Sequence, residues 1–347
     1  MKKTILIALV IALAFTFTTC GGGDDDGGGG GGGGKGGPTK WTAVDDSTFG
    51  GHIIRAIAYG NNRFVAVGDI GKMAYSDDGV SWTAVANSTI WRYKYGSSTL
   101  TASICGIAYG NNRFVAVGDI VKMAYSHDGI TWTAVANSPF GTSDNAIIGI
   151  AYGNNRFVAG GSSGKMAYSD DGITWTAVTS TFGTDDQINA IAYGNNRFVA
   201  VGGGKMATST DGISWTAVED STFGTTSIQD IAYGNNRFVA GGQSGKMAYS
   251  TNGTTWTALE DSTIWDYEWT YNNNTFTLKA NISAIAYGKN RFVAGGGSGK
   301  MAYSTNGTKW TAVEDSTFGT SGISAIAYGK NRFVAGDGFG KMAYADW

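Results

Sequence analysis

The stretch "IIRAIAYGNNRFVAVGDIGKMAYSDDGVSWTAV", residues 53–85, decides the fold, because the chain repeats it with few changes. Two short sequence motifs mark the copies. "IAYG" begins at Ile57, Ile107, Ile150, Ile191, Ile231, Ile285 and Ile326, and "WTAV" or "WTAL" begins at Trp41, Trp82, Trp132, Trp175, Trp215, Trp256 and Trp310. Seven copies at intervals of 40 to 54 residues are typical of repeat architectures.

One copy predicts four short strands, at 54–59, 63–67, 72–76 and 82–85. The residues between them are Gly-Asn-Asn, a Gly-rich loop and Asp-Gly, which accept the positive φ of tight hairpin turns. Four strands in each of seven units predict an all-β, seven-bladed β-propeller with four-stranded blades, rather than a solenoid.

The two ends of the repeat region are complementary. The first unit is preceded by an isolated fourth strand, Trp41 to Val44, and the last unit stops after its third strand, at Trp347. We therefore expect residues 38–347 to form one ring, whose last blade takes its outer strand from the N-terminal side and leaves no open edge.

The third-to-fourth turns, such as "SDDGVSW" (76–82) and "STNGTTW" (250–256), resemble the Asp box of sialidase-like propellers. Each copy is one residue shorter between Asp and Trp than that motif, and two copies carry Asn in place of Asp. The resemblance implies propeller architecture over 41–347. It does not imply an activity, because in that family the box is a structural turn remote from the catalytic centre.

Residues 1–20 predict a signal peptide, with two lysines before an apolar run that is too short to span a bilayer comfortably. The ending "FTTC" resembles the bacterial lipoprotein box and implies acylation of Cys20, with simple secretion as the alternative. Residues 21–37 carry only Gly, Asp and one Lys, which predicts a flexible tether. The expected location is the cell envelope, on the outer membrane or cell surface.

The overall charge gives no electrostatic case for nucleic-acid binding, since 25 basic and 27 acidic residues leave a net charge of −2. Cys20 and Cys105 lie in unlike contexts, and His52 and His127 are single, so we expect neither a metal site nor a disulfide framework. We also expect no cofactor.

Residues present in every copy serve a need that all blades share, so the positions that vary are the informative ones. The first-to-second and third-to-fourth turns barely change, and strand alternation places both on one side of the ring, here called the constant face. The opposite side, the variable face, carries the second-to-third loops and the blade-to-blade connections. The residue after the first Ile of each inner strand also varies, and we expect these residues to ring the channel mouth: Arg55, Cys105, Ile148, Asn189, Gln229, Ser283 and Ser324.

The first interruption of the repeat is "IWRYKYGSSTLTASI", residues 90–104. A turn at Gly96-Ser97 predicts a hairpin on the variable face. The expected cross-strand pairs are Tyr93 with Leu100 and Trp91 with Ala102, with Arg92 and Lys94 on the reverse side.

The second interruption is "IWDYEWTYNNNTFTLKANI", residues 264–282. A turn at Asn273-Asn274 predicts another hairpin with an aromatic side and a charged side. The expected pairs are Tyr271 with Phe276, Trp269 with Leu278, Tyr267 with Ala280 and Glu268 with Lys279.

Three hypotheses about function remain open on sequence alone. In the first, the hairpins line a groove that binds a protein or glycan, through Trp91, Tyr93, Tyr95, Trp265, Tyr267, Trp269 and Tyr271, with Arg92, Lys94, Asp266 and Glu268 beside them. In the second, the aromatic sides fold onto neighbouring loops and only cap the ring. In the third, the chain is a glycoside-active enzyme of sialidase-like architecture, although the arginine triad and the acids of that site are missing.

The opposite charges of the two hairpins also suggest a weak, salt-sensitive homodimer. The basic side of one molecule's first hairpin would face the acidic side of the partner's second, in a twofold arrangement. Exposed ion pairs contribute about 0–1 kcal/mol each, so the aromatic residues would have to supply most of the affinity.

Overall fold

The computed structural model describes residues 40–86, 89–141, 145–260, 263–272 and 274–347. The predicted signal peptide, the tether and Cys20 lie outside the described residues. Within them, seven four-stranded antiparallel sheets form the blades, and two separate two-stranded sheets form the hairpins. The predicted all-β, seven-bladed propeller is confirmed.

Each blade runs from an inner strand at the channel to an outer strand at the rim. Blade 1 has β2 (Ile54–Gly60), β3 (Arg63–Gly68), β4 (Met73–Ser76) and β5 (Thr83–Ala84). Blade 2 has β8 (Ile104–Gly110), β9 (Arg113–Gly118), β10 (Met123–Ser126) and β11 (Thr133–Ala134). Blade 3 has β12 (Ile147–Gly153), β13 (Arg156–Gly161), β14 (Met166–Ser169) and β15 (Thr176–Val178). Blade 4 has β16 (Ile188–Gly194), β17 (Arg197–Gly202), β18 (Met206–Ser209) and β19 (Thr216–Ala217).

The remaining blades follow the same order. Blade 5 has β20 (Ile228–Gly234), β21 (Arg237–Gly242), β22 (Met247–Ser250) and β23 (Thr257–Ala258). Blade 6 has β26 (Ile282–Gly288), β27 (Arg291–Gly296), β28 (Met301–Ser304) and β29 (Thr311–Ala312). Blade 7 has β30 (Ile323–Gly329), β31 (Arg332–Asp337), β32 (Met342–Asp346) and, as its outer strand, β1 (Thr42–Ala43). The hairpins are β6 (Arg92–Tyr95) with β7 (Ser98–Thr101), and β24 (Asp266–Tyr271) with β25 (Asn274–Lys279).

Single 3₁₀ turns fill several connections on the variable face. Four lie in second-to-third loops, at Asp69–Gly71, Ser162–Gly164, Gln243–Gly245 and Gly297–Gly299, and two precede the hairpins, at Thr89–Trp91 and Thr263–Trp265. No helix among the described residues is both long and apolar enough to cross a membrane.

The core lies between adjacent blades rather than inside any one sheet. One cluster joins Phe64 of blade 1 to Val334 of blade 7 through fully buried contacts. The inner strands fit closely because each ends in Gly beside a Tyr ring of the next blade: a Cβ on Gly60 would lie 2.0 Å from the Tyr109 ring. The same contact between Gly329 and Tyr59 closes the circle.

The predicted closure of the last blade is confirmed. Thr42 pairs with Tyr344 and Ala43 with Ala343, and the N–H of Val44 donates to the carbonyl of Met342 at 2.8 Å. Trp41, just before this strand, is fully buried. The outer strand is shorter than the predicted four residues, as in every blade, and here only its central pair joins the ladder.

Trp347 fills the place of the missing third-to-fourth turn in blade 7. In blade 1, a Cβ on Gly79 of this turn would meet Val334, Phe64 and Arg332, so the turn packs against its own Phe and the preceding blade's Arg. In blade 7 the equivalent neighbours contact Trp347 instead: its ring lies 4.8 Å from Phe333, and Arg291 lies 5.0 Å above it in a cation–π contact.

Candidate functional site: the variable face

The seven variable positions of the inner strands are β-bulges. In blade 1 the register shifts between Ile54 and Ala56, so Arg55 is an extra residue in its strand, and the other six blades shift at the equivalent place. A bulge redirects its side chain and interrupts the ladder. The residue that varies is therefore the one that the ladder does not constrain.

Most of the bulge side chains are enclosed. Arg55 is 8% exposed, and Asn189 and Gln229 are each 1% exposed, while Ser283 is partly exposed. These side chains are therefore covered by their neighbours, and their place around the channel mouth stays a prediction. Their polar groups are used inside the protein, because a buried polar group is costly unless it is hydrogen-bonded.

Two bulge residues join neighbouring blades. Asn189 donates through Nδ2 to the carbonyl of Ile228 at 2.7 Å, and Ser324 donates through Oγ to the carbonyl of Ile54 at 2.6 Å. Gln229 remains within its own blade, where its Nε2 donates to Ser227 Oγ at 3.4 Å. These bonds make the bulge a structural connection in blades 4 and 7.

Blades 1 and 2 place charged groups beside the bulge. Arg55 makes an ion pair with Asp69 of the second-to-third loop. The Cys105 thiol donates to Asp119, at the equivalent loop position, over 3.4 Å. Burial and the neighbouring Asp119 carboxylate raise the pKa of Cys105, so the thiol is neutral and a poor nucleophile.

The first hairpin has the predicted register. Tyr93 pairs with Leu100, and the N–H of Ala102 donates to the carbonyl of Trp91 at 2.8 Å. Gly96 has a φ of 58°, as the tight turn requires. Because this region contains a single Gly, the sequence indicated only one favourable position for the turn, and the turn position fixes the register.

The second hairpin differs from the predicted register by two residues. Trp269 pairs with Phe276 and Tyr267 with Leu278, so the predicted pairs of Tyr271 with Phe276 and of Glu268 with Lys279 are wrong. Three consecutive asparagines all accept positive φ, so turn chemistry alone could not select among them. Because the error is an even number of residues, every side chain keeps its predicted face.

Trp91 and Trp265 do not belong to the binding surface that the sequence predicted. Both are fully buried, each in a core cluster between two blades. Each ends the 3₁₀ turn before its hairpin, and the hairpin closes over it through the backbone bond to Ala102 or Ala280, both 2.8 Å. These tryptophans anchor the hairpins to the ring.

The outer aromatic residues are exposed. Tyr95 is 74% exposed, Trp269 49% and Tyr271 59%, whereas Tyr93 and Tyr267 are half-buried. The rings of Trp269 and Tyr271 are parallel within 1°, with centroids 5.5 Å apart. The alternative in which the aromatic sides fold down as a cap therefore describes the roots of the hairpins but not their outer halves.

The predicted binding site left out several exposed apolar residues on this face. Leu100, Phe276 and Leu278, predicted only as cross-strand partners, extend the two hairpin stripes, and Ile70 and Phe339 stand on second-to-third loops at 47% and 65% exposure. For the two loop residues, the available signal was an apolar residue at a loop position that is Ser in blades 3, 5 and 6.

The charges of the second hairpin partly offset one another. Lys279 pairs with Asp266 at 2.7 Å, which neutralises part of the acidic side of the second hairpin. On the first hairpin Lys94 donates to Thr99 Oγ1 at 2.6 Å, and Arg92 is exposed. Neither cation makes an ion pair within the part of the chain that the structure describes.

Two open cavities lie beside the hairpins. One, of 420 Å³, is at the root of the second hairpin, where Phe223, Met247, Leu259 and Lys279 contribute to its wall. The other, of 210 Å³, lies between the first hairpin and blade 2. Within the described ranges no cluster of three His, Cys, Asp or Glu side chains has the spacing of a metal site.

Solved structures of similar fold include several propellers. YCF48 from Cyanidioschyzon merolae has a TM-score of 0.65 at 18% identity, covering 88% of this chain and 98% of that one. A structure described as YCF48 bound to D1 peptide has a TM-score of 0.63 at 15% identity, covering 90% and 96%. A xyloglucanase from Xanthomonas campestris has a TM-score of 0.63 at 15% identity, covering 88% of this chain and 53% of that one. Likenesses at these identities show the fold alone.

The sequence comparisons are narrower. No match to a curated protein was found. The family described as DUF6242 beta propeller domain matches residues 126–264, which span blades 3 to 5 and the parts of the chain on either side. The chain is a seven-bladed β-propeller whose central part is similar to the DUF6242 beta propeller domain.

Proposed function

We propose that this protein is a binding propeller of the cell envelope, which takes a protein or glycan partner on its variable face. The observation that carries the proposal is the exposed stripe on the second hairpin, formed by Trp269, Tyr271, Phe276 and Leu278. Large rigid side chains of this kind supply much of the contact energy at binding surfaces, with little loss of conformational entropy.

The direction of the chain supports outward display of this face. Outer strands run from the constant face to the variable face, so β1 receives the N-terminal segment at the constant face. A tether over 21–37, acylated at Cys20, would thus join the side opposite the hairpins. Cys20→Ser should abolish incorporation of a palmitate analogue, and labelling that persists would contradict the anchor.

Binding without catalysis is the activity that the groups on this face support best. Arg55 and Asp69 are paired with each other, and the Cys105 thiol is neutral. A general acid or base needs a pKa near the working pH and access to the substrate. The exposed apolar stripe, in contrast, matches a surface that acts by contact. Among propellers of similar fold, YCF48 has been solved with a D1 peptide.

The test compares two pairs of exposed residues on opposite faces. The chain from residue 38, which contains every described element, is applied to a glycan array and to a random peptide display library. Trp269→Ser with Tyr271→Ser should reduce binding by about tenfold, since each such contact contributes about 1–2 kcal/mol. The matched control, Ile130→Ser with Ile213→Ser, removes exposed apolar residues of the constant face and should leave binding unchanged. Equal binding by both double variants would contradict the proposal.

The homodimer is a further part of this proposal, with the partner's hairpins as the ligand. The ion pair between Asp266 and Lys279 leaves Glu268 as the main acidic group for a partner's Arg92 and Lys94. Sedimentation at low and high salt tests it, with Arg92→Glu plus Lys94→Glu as the charge-reversed variant. A monomer at every concentration and salt level would rule the dimer out.

A further inference from the structure

Six of the seven second-to-third loops have the same length, and they share one position that differs in chemistry around the ring. It is Ser in blades 3, 5 and 6, at Ser163, Ser244 and Ser298. It is apolar in the other three blades whose loops have this length, at Phe339 in blade 7, Ile70 in blade 1 and Ile120 in blade 2. These three blades are consecutive, because Gly329 packs on Tyr59 and Gly60 on Tyr109.

The isoleucines occupy a backbone conformation that disfavours them. Ile70 has a φ of 48° and Ile120 a φ of 57°, and Val121 follows at 51°. A β-branched side chain at positive φ is a strained outlier, and such strain is concentrated at functional sites. The serines at the same position have φ values of 53° to 58°, so the loop requires the conformation but not the apolar side chain.

Burial does not account for the apolar residues either. Ile70 is 47% exposed and Phe339 65% exposed, so neither completes the core. Ile120 is partly exposed and shares the 210 Å³ cavity with Tyr93 of the first hairpin. Ile70 is both strained and exposed, and blades 3, 5 and 6 have Ser at its position, so the fold reveals no structural need for it.

The first hairpin connects the loops of blades 1 and 2, and the blade 7 loop lies on the neighbouring blade. A Cβ on Gly71, next to Ile70, would lie 2.8 Å from Thr101 and 3.0 Å from Trp91, so the blade 1 loop packs directly on the hairpin. The hairpin also lines a cavity with Ile120, through Tyr93 and Thr101. We call this surface the apolar arc, and its members are Phe339, Ile70, Leu100, Tyr93 and Ile120.

The charged groups around the arc and the composition of the hairpin tip indicate which kind of partner the arc binds. The carboxylates in the loops of blades 1 and 2 are engaged, Asp69 by Arg55 and Asp119 by the Cys105 thiol, whereas Asp45 and Asp46 are exposed and line a cavity with Phe339 at the far end of the arc. The cations Arg92 and Lys94, on the reverse side of the first hairpin, have no carboxylate partner within the described residues, so acidic groups are favoured at the hairpin end of an occupant. The hairpin tip is Gly96-Ser97-Ser98, which lacks the apolar residues that insertion into a bilayer requires.

We propose that the apolar arc is a docking site for an extended polypeptide segment, whose apolar side chains contact Phe339, Ile70 and Ile120. Acidic residues at one end of the segment meet Arg92 and Lys94. The proposal rests on the proposed function, since it names the partner class and the part of the variable face that holds it. The second hairpin is a separate contact surface in this scheme.

The test uses the full chain and a phage-displayed library of random dodecapeptides. The wild-type chain should enrich peptides that combine several apolar residues with terminal Asp or Glu. Their affinity should fall about tenfold in the triple variant Ile70→Ser, Ile120→Ser, Phe339→Ser, which copies the residue of blades 3, 5 and 6. Arg92→Glu with Lys94→Glu should shift the enriched termini from acidic to basic.

Controls separate the arc from the rest of the variable face. Ile70→Ser alone should leave the melting temperature unchanged or raise it, because it relieves strain without opening the core; a clear fall would overturn the strain argument. Ile130→Ser with Ile213→Ser, on the constant face, should leave binding of the enriched peptides intact. Peptides that the triple variant retains but that Trp269→Ser with Tyr271→Ser loses would overturn the arc while leaving the proposed function standing. Failure to enrich any such peptide, or arc-dependent binding to phosphatidylglycerol vesicles instead, would also overturn it.

Discussion

The constant face and the variable face are made from the same seven blades, yet they differ in what they leave for a partner. On the constant face the turn residues bond to one another: Ser76 Oγ accepts the N–H of Gly79 at 2.7 Å, and Asp78 Oδ1 accepts those of Val80 and Ser81, both at 2.8 Å. Arg332 of the neighbouring blade donates to the Asp78 carbonyl at 2.6 Å. The face is a closed set of contacts, repeated around the ring.

The variable face carries most of the large apolar residues that the described part of the chain exposes. Only Ile130 and Ile213 lie on the constant face, while the others stand on the variable one: Ile70, Tyr95, Leu100, Trp269, Tyr271, Phe276, Leu278 and Phe339. Repetition in this protein therefore marks what holds the ring, and departure from repetition marks the surface available for contact.

The largest expected effect tests whether the repeated scaffold depends on its closure. Deleting residues 38–45 removes β1 and the fully buried Trp41, and exposes the edge of β32. Loss of a buried Trp alone costs about 3–5 kcal/mol, so the melting temperature of the whole ring should fall in one cooperative transition. Calorimetry measures it.

Unchanged melting after this deletion would contradict the closure of blade 7. A matched control replaces Tyr95 with Ser, which changes an exposed residue of the variable face and should alter the stability by no more than about 0.5 kcal/mol. The two results together compare the loss of stability on opening the ring with that on changing an exposed residue of the variable face.

A smaller effect separates glycines on the two faces. Gly329→Ala would place a Cβ 2.1 Å from the Tyr59 ring at the start of its side chain, which cannot move away without shifting the inner strand. We expect a loss of about 1–3 kcal/mol in the free energy of unfolding. Gly203→Ala on the variable face has no atom nearer than 4.0 Å and a permitted backbone, so it should be neutral. Denaturant titration of both variants tests the pair, and equal losses would contradict the contrast between the faces.

The architecture could be predicted from the sequence because it follows from patterns that repeat. Copies of one motif identify the blades, and the complementary cut at Trp41 and Trp347 identifies the closure. The side of each hairpin on which a residue lies could also be predicted, because side chains in a strand alternate with a period of two. Even the incorrect register of the second hairpin preserved its aromatic side.

The candidate site could be predicted only in part, because burial depends on contacts between distant segments. Trp265 and Trp269 differ by four positions and look alike in sequence, yet one is fully buried and the other is 49% exposed. The 3₁₀ turn before each hairpin has the same sequence, Thr-Ile-Trp at 89–91 and 263–265, and this repetition was the available signal that Trp91 and Trp265 are structural. The bulge that encloses Asn189, in contrast, cannot be recognised without the register of the sheet.

The smallest expected effect distinguishes Asp from Asn within the turns of the constant face. Asp211 in blade 4 and Asn252 in blade 5 have the same role, each accepting two backbone N–H groups at 2.8–2.9 Å. Burial alone would raise the pKa of Asp211, but the bonds from Ser214, Ile213 and Ser209 outweigh it and lower the pKa from 3.8 to about 2. A carboxyl group with a lowered folded-state pKa stabilises the protein above pH 3.8, and this stabilisation is lost as the pH falls towards 2.

Asp211→Asn should therefore leave stability at pH 7 nearly unchanged and reduce the loss of stability between pH 4 and pH 2. Asn252→Asp, the reverse exchange, should increase that loss. Denaturant titrations across this pH range measure both, and identical pH profiles in the two variants would show that the turn does not distinguish a charged acceptor from a neutral one.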